Sequence, residues 1–161
     1  MRTEIASLII VALCSAHATM ASAADGSVVL ELESPPAKLA QESRLVVSLR
    51  NRGTTAVGVT VPNNPFPFEL ELMTRDGLDV LAAHRKPLAT TRRSQSATQV
   101  IQLKPGEKRE FPIGLGAYLA SREFPVALDG VSQVRAFVAA SLDSNDRTEV
   151  WRSATVSVKE N

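Results

Sequence analysis

The 161 residues fit one domain, and a mean hydropathy of zero with 44% hydrophobic residues excludes a disordered or collagen-like chain. Eighteen basic residues balance 17 acidic ones, so the net charge of +1 gives no reason to expect nucleic acid as a partner. Aromatic residues make up 4% of the chain, which argues against a stacking platform for single-stranded nucleic acid.

The N-terminus has the parts of a secretory signal peptide. Arg2 supplies positive charge, Ile5–Cys14 is an apolar run, and Ala21-Ser22-Ala23 is a cleavage site of the A-x-A type. The run is too short to span a bilayer, which needs about 20 residues. We therefore predict a cleaved signal helix over residues 1–23 and an exported domain over 24–161, with no membrane span in the mature chain.

Cleavage after Ala23 removes Cys14, the one cysteine of the chain, and leaves His84 as the single histidine. A mature domain without cysteine fits the periplasm or exterior of a bacterial cell better than an animal extracellular module. Zinc and blue-copper ligand sets cannot be assembled from one such chain, and no G-x-S-x-G nucleophile sequence is present. We predict no cofactor and no enzyme activity, with a hydrolase as the weakest alternative.

Period-two alternation of apolar residues dominates the mature chain. Asp76-Gly77 is a strong hairpin signal, and Lys104–Glu107 combines proline and glycine as a tight turn requires. Strands are predicted over 27–33, 44–51, 56–61, 68–73, 78–81, 98–103, 109–115, 131–142 and 148–159, with a helical turn within 116–124. The pattern predicts an all-β fold, an antiparallel two-sheet sandwich of about eight strands; a closed barrel is the alternative.

The order of turn signals resembles that of known exported domains. An alternating strand ends in Asn51-Arg52-Gly53, a pair turns at Asp76-Gly77, Leu103–Glu107 follows as LKPGE, and a hairpin ends the chain. This layout resembles the immunoglobulin-like sandwiches of bacterial envelope proteins, and is loosely similar to the BsuPI type of proteinase-inhibitor domain. The likeness covers about Arg44 to Val158, and the second family implies protease inhibition without matching a reactive-site residue.

Charge is segregated along the mature chain. No acidic residue occurs between Asp79 and Glu107, and this stretch holds the basic residues Arg85, Lys86, Arg92, Arg93 and Lys104. A flexible basic loop over 84–97 is one candidate site, with a lipid headgroup, an acidic polysaccharide or an acidic protein patch as its partner. The alternative is a solvated loop whose cations keep the protein soluble.

Phe137 and Trp151 form a second candidate site. If the last hairpin turns about Ser144, these two residues are cross-strand neighbours on the face directed away from the core. An exposed pair of this kind often marks a binding surface. The favoured alternative is that the 84–97 loop, or the segment near Tyr118, buries both rings.

A proline-rich loop and a pair of glutamates are two further candidate features, and each also has a purely structural explanation. Pro62–Pro67 contains three prolines, and a rigid loop there could enter a protease cleft, although most such loops cross from one sheet to the other. Glu69 and Glu71 share a strand face about 7 Å apart, and are expected to be a solvent-facing strand edge. We expect a non-enzymatic exported binding or structural module that recognises a protein or glycan through a sheet face or loops. A protease inhibitor using the 62–67 loop is the alternative.

Overall fold

A computed structural model describes residues 27–33, 38–85, 97–125, 127–142 and 145–158, so the predicted signal peptide lies outside the described residues. Two antiparallel sheets pack together, which confirms the predicted all-β two-sheet sandwich. The strands are β1 (Val28–Leu32), β2 (Arg44–Asn51), β3 (Val57–Pro62), β4 (Glu69–Thr74), β5 (Thr98–Leu103), β6 (Lys108–Gly114), β7 (Val131–Leu142), β8 (Asn145–Arg152) and β9 (Val156–Ser157), with one α-helix, α1 (Leu115–Ser121).

The smaller sheet has three strands in the order β1-β2-β6. Alternation in β2 directs Leu45, Val47 and Leu49 inward, and each is at most 1% exposed. Helix α1 follows β6 directly and is joined to the chain before β2, because the N–H of Gly116 donates to the carbonyl of Gln41 at 2.8 Å. A Cβ at position 116 would lie 2.9 Å from that oxygen, so this contact requires glycine.

The larger sheet has six strands, with β7 at its centre. Leu142 pairs with Val59 of β3 and with β8, while Phe137 pairs with Glu69 of β4 and with Arg152 of β8. Strands β3 and β4 therefore lie end to end along one side of β7, opposite β8 and β9. Strand β5 pairs with the other side of β3. The proline-rich loop therefore connects two strands of the same sheet. The expectation that it crosses from one sheet to the other is wrong.

The core lies between the facing sides of the two sheets. Phe68 at the start of β4 is fully buried, and its ring lies 4.8 Å from that of Phe111 on β6, which joins the two layers. Asn51 adds a polar link between the sheets, because its buried side-chain amide donates to the carbonyl of Leu103 on β5 at 3.1 Å. These contacts fix the sheets face to face and leave each with one outer face.

Two predicted strands differ from the observed ones. The return strand expected at 78–81 is reduced to a bridge between Met73 and Asp79, and a short 3₁₀ helix, Ala82–His84, follows it. The strand expected at 148–159 is divided into β8 and β9. Ser153 lies between them and bonds to Ala136 through both its N–H and its hydroxyl oxygen, so the side chain replaces a regular ladder bond.

Candidate functional site: the outer face of the six-stranded sheet

The register of the last hairpin decides where its aromatic residues point. Phe137 pairs with Arg152, and Val138 pairs with Trp151, so the predicted pairing of Phe137 with Trp151 is wrong by one residue. Strand β7 ends at Leu142 and β8 begins at Asn145, so the connection has an even number of residues and is not centred on Ser144. Because side chains alternate along a strand, a shift of one residue moves Trp151 to the opposite face.

Trp151 consequently lies in the core. It is 5% exposed and belongs to the same buried cluster as Val138 and Ala140. Phe137 remains on the outer face, the surface formed by the outward residues of β3, β4, β5, β7 and β8, but it is only 3% exposed. The guanidinium groups of Arg85 and Arg152 lie 5.1 Å and 5.8 Å from the centre of its ring, within range of a cation–π interaction. The candidate exposed pair of aromatic rings is therefore absent. Both rings are buried, as the favoured alternative has it, but the core buries Trp151, and arginine side chains occupy the space over Phe137.

Glu71 organises the outer face beside Phe137. Its carboxylate accepts a hydrogen bond from Nε of Arg135 on β7 and lies 3.8 Å from Nε of Arg152 on β8. The Arg152 side chain is 45% exposed, whereas that of Glu71 is 12% exposed. Glu71 is thus a buried, paired carboxylate, and the expectation that it faces solvent is wrong. The pair of charges holds the Arg152 guanidinium at a defined place on the sheet surface.

Glu69 is also paired. Its carboxylate accepts hydrogen bonds from the Tyr118 hydroxyl at 2.8 Å and from Arg122, both contributed by the α1 region. The Tyr118 hydroxyl in turn accepts the N–H of Leu70 at 2.9 Å. Burial of Tyr118 and the charge of Glu69 raise the pKa of this phenol to about 12. The expected solvent-facing position of Glu69 is therefore wrong as well.

Arg85 belongs to the outer face and not to a solvated loop. It forms an ion pair with Asp79, donates to the carbonyl of Leu70 at 2.7 Å, and its side chain is 16% exposed. Lys86, Arg92 and Arg93, the other predicted basic site residues, lie outside the described residues. His84, which is partly exposed, packs edge-on against Phe124 with ring centres 5.1 Å apart.

At the other end of the outer face, the cross-strand pairs described for β3, β5, β7 and β8 include small uncharged side chains. Thr60 on β3 pairs with Val100 of β5 and with Ser141 of β7, and Ala139 pairs with Val150 of β8. These side chains are small and uncharged, and Val100 is 53% exposed. The outer face therefore joins a flat neutral region to a region of paired charges, and Arg152 lies at the boundary.

The proline-rich loop is anchored at both ends. The Phe66 ring meets the Tyr118 ring edge-on at 5.5 Å, and Asn63 donates its N–H to the carbonyl of Ala97 at 2.8 Å. Asn63, Asn64 and Pro65 are exposed between these contacts. The loop is thus held at both ends with an exposed tip.

A groove of about 880 Å³ lies between the chain before β2 and residues 127–129. Leu39 and Leu128 form its buried base, and charged side chains of both signs surround it, including Arg44 and Asp129. The predicted site residues do not contribute to its lining. It therefore has no link to the outer face.

Comparisons with protein-family models and with curated proteins find no match for this chain. The immunoglobulin-like and BsuPI likenesses therefore stay predictions. Within the described residues, no group of three or more histidine, cysteine, aspartate or glutamate side chains is placed to bind a metal ion. The same residues contain no helix with the length and hydrophobicity needed to cross a membrane.

Proposed function

We propose that this chain is a non-enzymatic exported module that binds a partner through the outer face. The supporting observation is the position of Arg152, whose exposed guanidinium lies over Phe137 and beside Glu71. Arginine is enriched at the centres of protein interfaces because its planar group donates several hydrogen bonds and stacks on other groups. Holding it in place before binding reduces the entropy lost when the complex forms.

The burial of the aromatic rings favours a protein over a glycan as the partner. Sugar rings commonly stack on an open aromatic face, but Phe137 is 3% exposed and Trp151 is 5% exposed. The neutral region around Thr60 and Val100 instead offers a flat surface of small side chains. A flat neutral surface beside an arginine matches the composition of protein interfaces, in which charge is depleted at the centre.

The proposal predicts that Arg152→Gln weakens capture of the partner. The mature form, residues 24–161, is used to retain proteins from a bacterial envelope extract, and retained proteins are identified by mass. Arg152→Gln should lower the affinity for the retained protein about tenfold, a loss typical of an interface hot spot. Arg109→Gln is the matched control, because Arg109 is exposed on the smaller sheet. Equal retention by both variants and the unchanged protein would contradict use of this face.

Protease inhibition is the second candidate, and the braced tip of the 62–67 loop favours it. An exposed segment anchored by Phe66 loses little freedom on entering a cleft. This function predicts a stable complex with a serine, cysteine or metal-dependent protease, and about a tenfold loss of inhibition in Asn64→Gly, which loosens the tip. Absence of inhibition across these protease classes would exclude it, and Thr54→Gly in the exposed loop between β2 and β3 is the matched loop control.

A further inference from the structure

The exposed edges of the two sheets are protected in different ways. An edge strand presents unpaired backbone N–H and C=O groups, and natural proteins cover such edges or place proline and charges on them. In β6, hydrogen-bonded pairs at Asn51–Glu107 and Ser43–Leu115 set the register, so the nitrogen of Pro112 faces away from β2. Proline has no N–H to donate there, and Lys108, a charged neighbour on the same strand, adds to the protection.

Side chains cover the edge of β4. Tyr118 accepts the N–H of Leu70, Arg85 donates to the carbonyl of Leu70, and the N–H of Val80 donates to the carbonyl of Leu72. The backbone edge of strand β1 is covered, since Val28 and Leu30 are at most 1% exposed as whole residues, backbone included. Strand β8 carries charged residues along its length.

Among the described residues, these protections are not found at Thr98 and Val100 of strand β5. Its sequence, TQVIQL, contains no charge, proline or glycine. The hydrogen bond from Asn63 to Ala97 sets the antiparallel register with β3, so the alternate residues Thr98 and Val100 direct their backbone groups away from that strand. Both residues are exposed in the structure, which leaves this edge accessible.

We propose that β5 is a strand-addition edge, and that its occupant is an extended segment of a partner protein bearing acidic side chains. The inference rests on the proposed function, since it supplies the backbone contacts of the same partner and continues the neutral region at Val100. Added strands obtain affinity from main-chain hydrogen bonds and specificity from alternate side chains. The choice of acidic side chains follows from charge, because the exposed Lys104 directly follows β5 and the sequence has no acidic residue between Asp79 and Glu107.

The test uses the mature form and a capped synthetic peptide, Glu-Thr-Val-Thr-Val-Thr-Glu. At saturating peptide, exchange of the Val100 amide hydrogen should slow at least about tenfold, because a new strand bonds to it. Val100→Pro should abolish peptide binding, since it removes the outward donor while leaving the bonds to β3 intact. Glu110→Pro in β6 is the matched control, because it places the same change at an exposed, outward backbone position on an edge of the other sheet.

A peptide N-methylated at every second residue, on the edge that would face β5, should not bind. Val100→Glu is the second variant if Val100→Pro does not fold, and it should also weaken binding, because it places a negative charge beside the acidic peptide. No change in Val100 exchange, equal binding by Val100→Pro, or equal binding of a lysine-flanked peptide would overturn the proposal. A dimer seen by sedimentation without peptide, and lost in Val100→Pro, would make a second copy the occupant and would also overturn it.

Capture from the envelope extract separates this inference from the proposed function. If Arg152→Gln weakens capture and Val100→Pro does not, binding through the outer face is supported and strand addition is wrong. If both weaken it, both are supported. If neither does, the proposed function is wrong whatever the peptide binds.

Discussion

Trp151→Ala should lower the free energy of unfolding by about 3–5 kcal/mol, the usual cost of truncating a buried tryptophan. The indole is 5% exposed and lies in the core cluster with Val138. Removing it leaves a cavity between the two sheets that neighbouring side chains refill only in part. Since small domains are stable by about 5–15 kcal/mol, the variant should be near the limit of folding.

Urea unfolding followed by circular dichroism measures this loss, because the variant has no tryptophan fluorescence. Trp151→Phe keeps an aromatic ring and should cost less than half as much. Phe137→Ala is a second comparison, since this ring lies outside the core cluster, under Arg85 and Arg152. A Trp151→Ala protein with unchanged stability and impaired partner capture would place the indole at a binding surface instead of in the core.

The strands could be predicted from sequence because burial on one face leaves a period-two pattern. Strands β2 and β5 begin and end where the alternation predicts, at Arg44–Asn51 and Thr98–Leu103. The face of Trp151 could not be predicted, since the alternation near it supports either register. The parity of the connection after Leu142 decides the face, and a register shift between Ala140 and Leu142 then moves the pairing further.

The charge pairs of the outer face could not be predicted from the sequence. Glu69 and Glu71 alternate with leucines, which shows that they avoid the core but not which cations lie opposite them. Their partners Arg122 and Arg135 are more than 50 residues away along the chain. Tertiary packing creates these contacts, across paired strands for Glu71 and Arg135 and between β4 and the end of α1 for Glu69 and Arg122, so a sequence without a known fold contains no signal for them. The absence of charge in β5 is visible in the sequence, but its meaning depends on β5 being an edge.

Protection of the β4 edge and the arrangement of the outer face depend on the same residues. The same residues that cover the β4 edge, Tyr118 and Arg85, also hold the outer face through Glu69 and Phe137. One edge of the larger sheet is thus closed by the groups that fix the arginines in place, while the β5 edge stays accessible. Under the proposed strand addition, a partner that approaches the neutral region meets the exposed Val100 at its side, which gives the added strand a defined position.

The stability of the domain should fall between pH 10 and 12 because of Tyr118. This phenol is fully buried, and its pKa is raised from 10.0 to about 12 by burial and by Glu69. A group whose pKa is raised in the folded state contributes stability that is complete below the unfolded pKa and is lost as the pH rises through the folded pKa. The difference corresponds to about 3 kcal/mol, lost progressively above pH 10.

Tyr118 is the one tyrosine in the chain, so ultraviolet absorbance of the tyrosinate reports its titration directly. Tyr118→Phe is the control: it should cost about 1–2 kcal/mol at neutral pH, because Leu70 loses its acceptor and Glu69 a donor. Lysine titration affects both proteins equally, so the difference between their unfolding free energies should fall from pH 10 to 12 and change sign, with Tyr118→Phe the more stable protein at the upper end. A tyrosinate that forms near pH 10 in the folded protein would show that the hydroxyl is accessible to solvent and that the β4 edge is open.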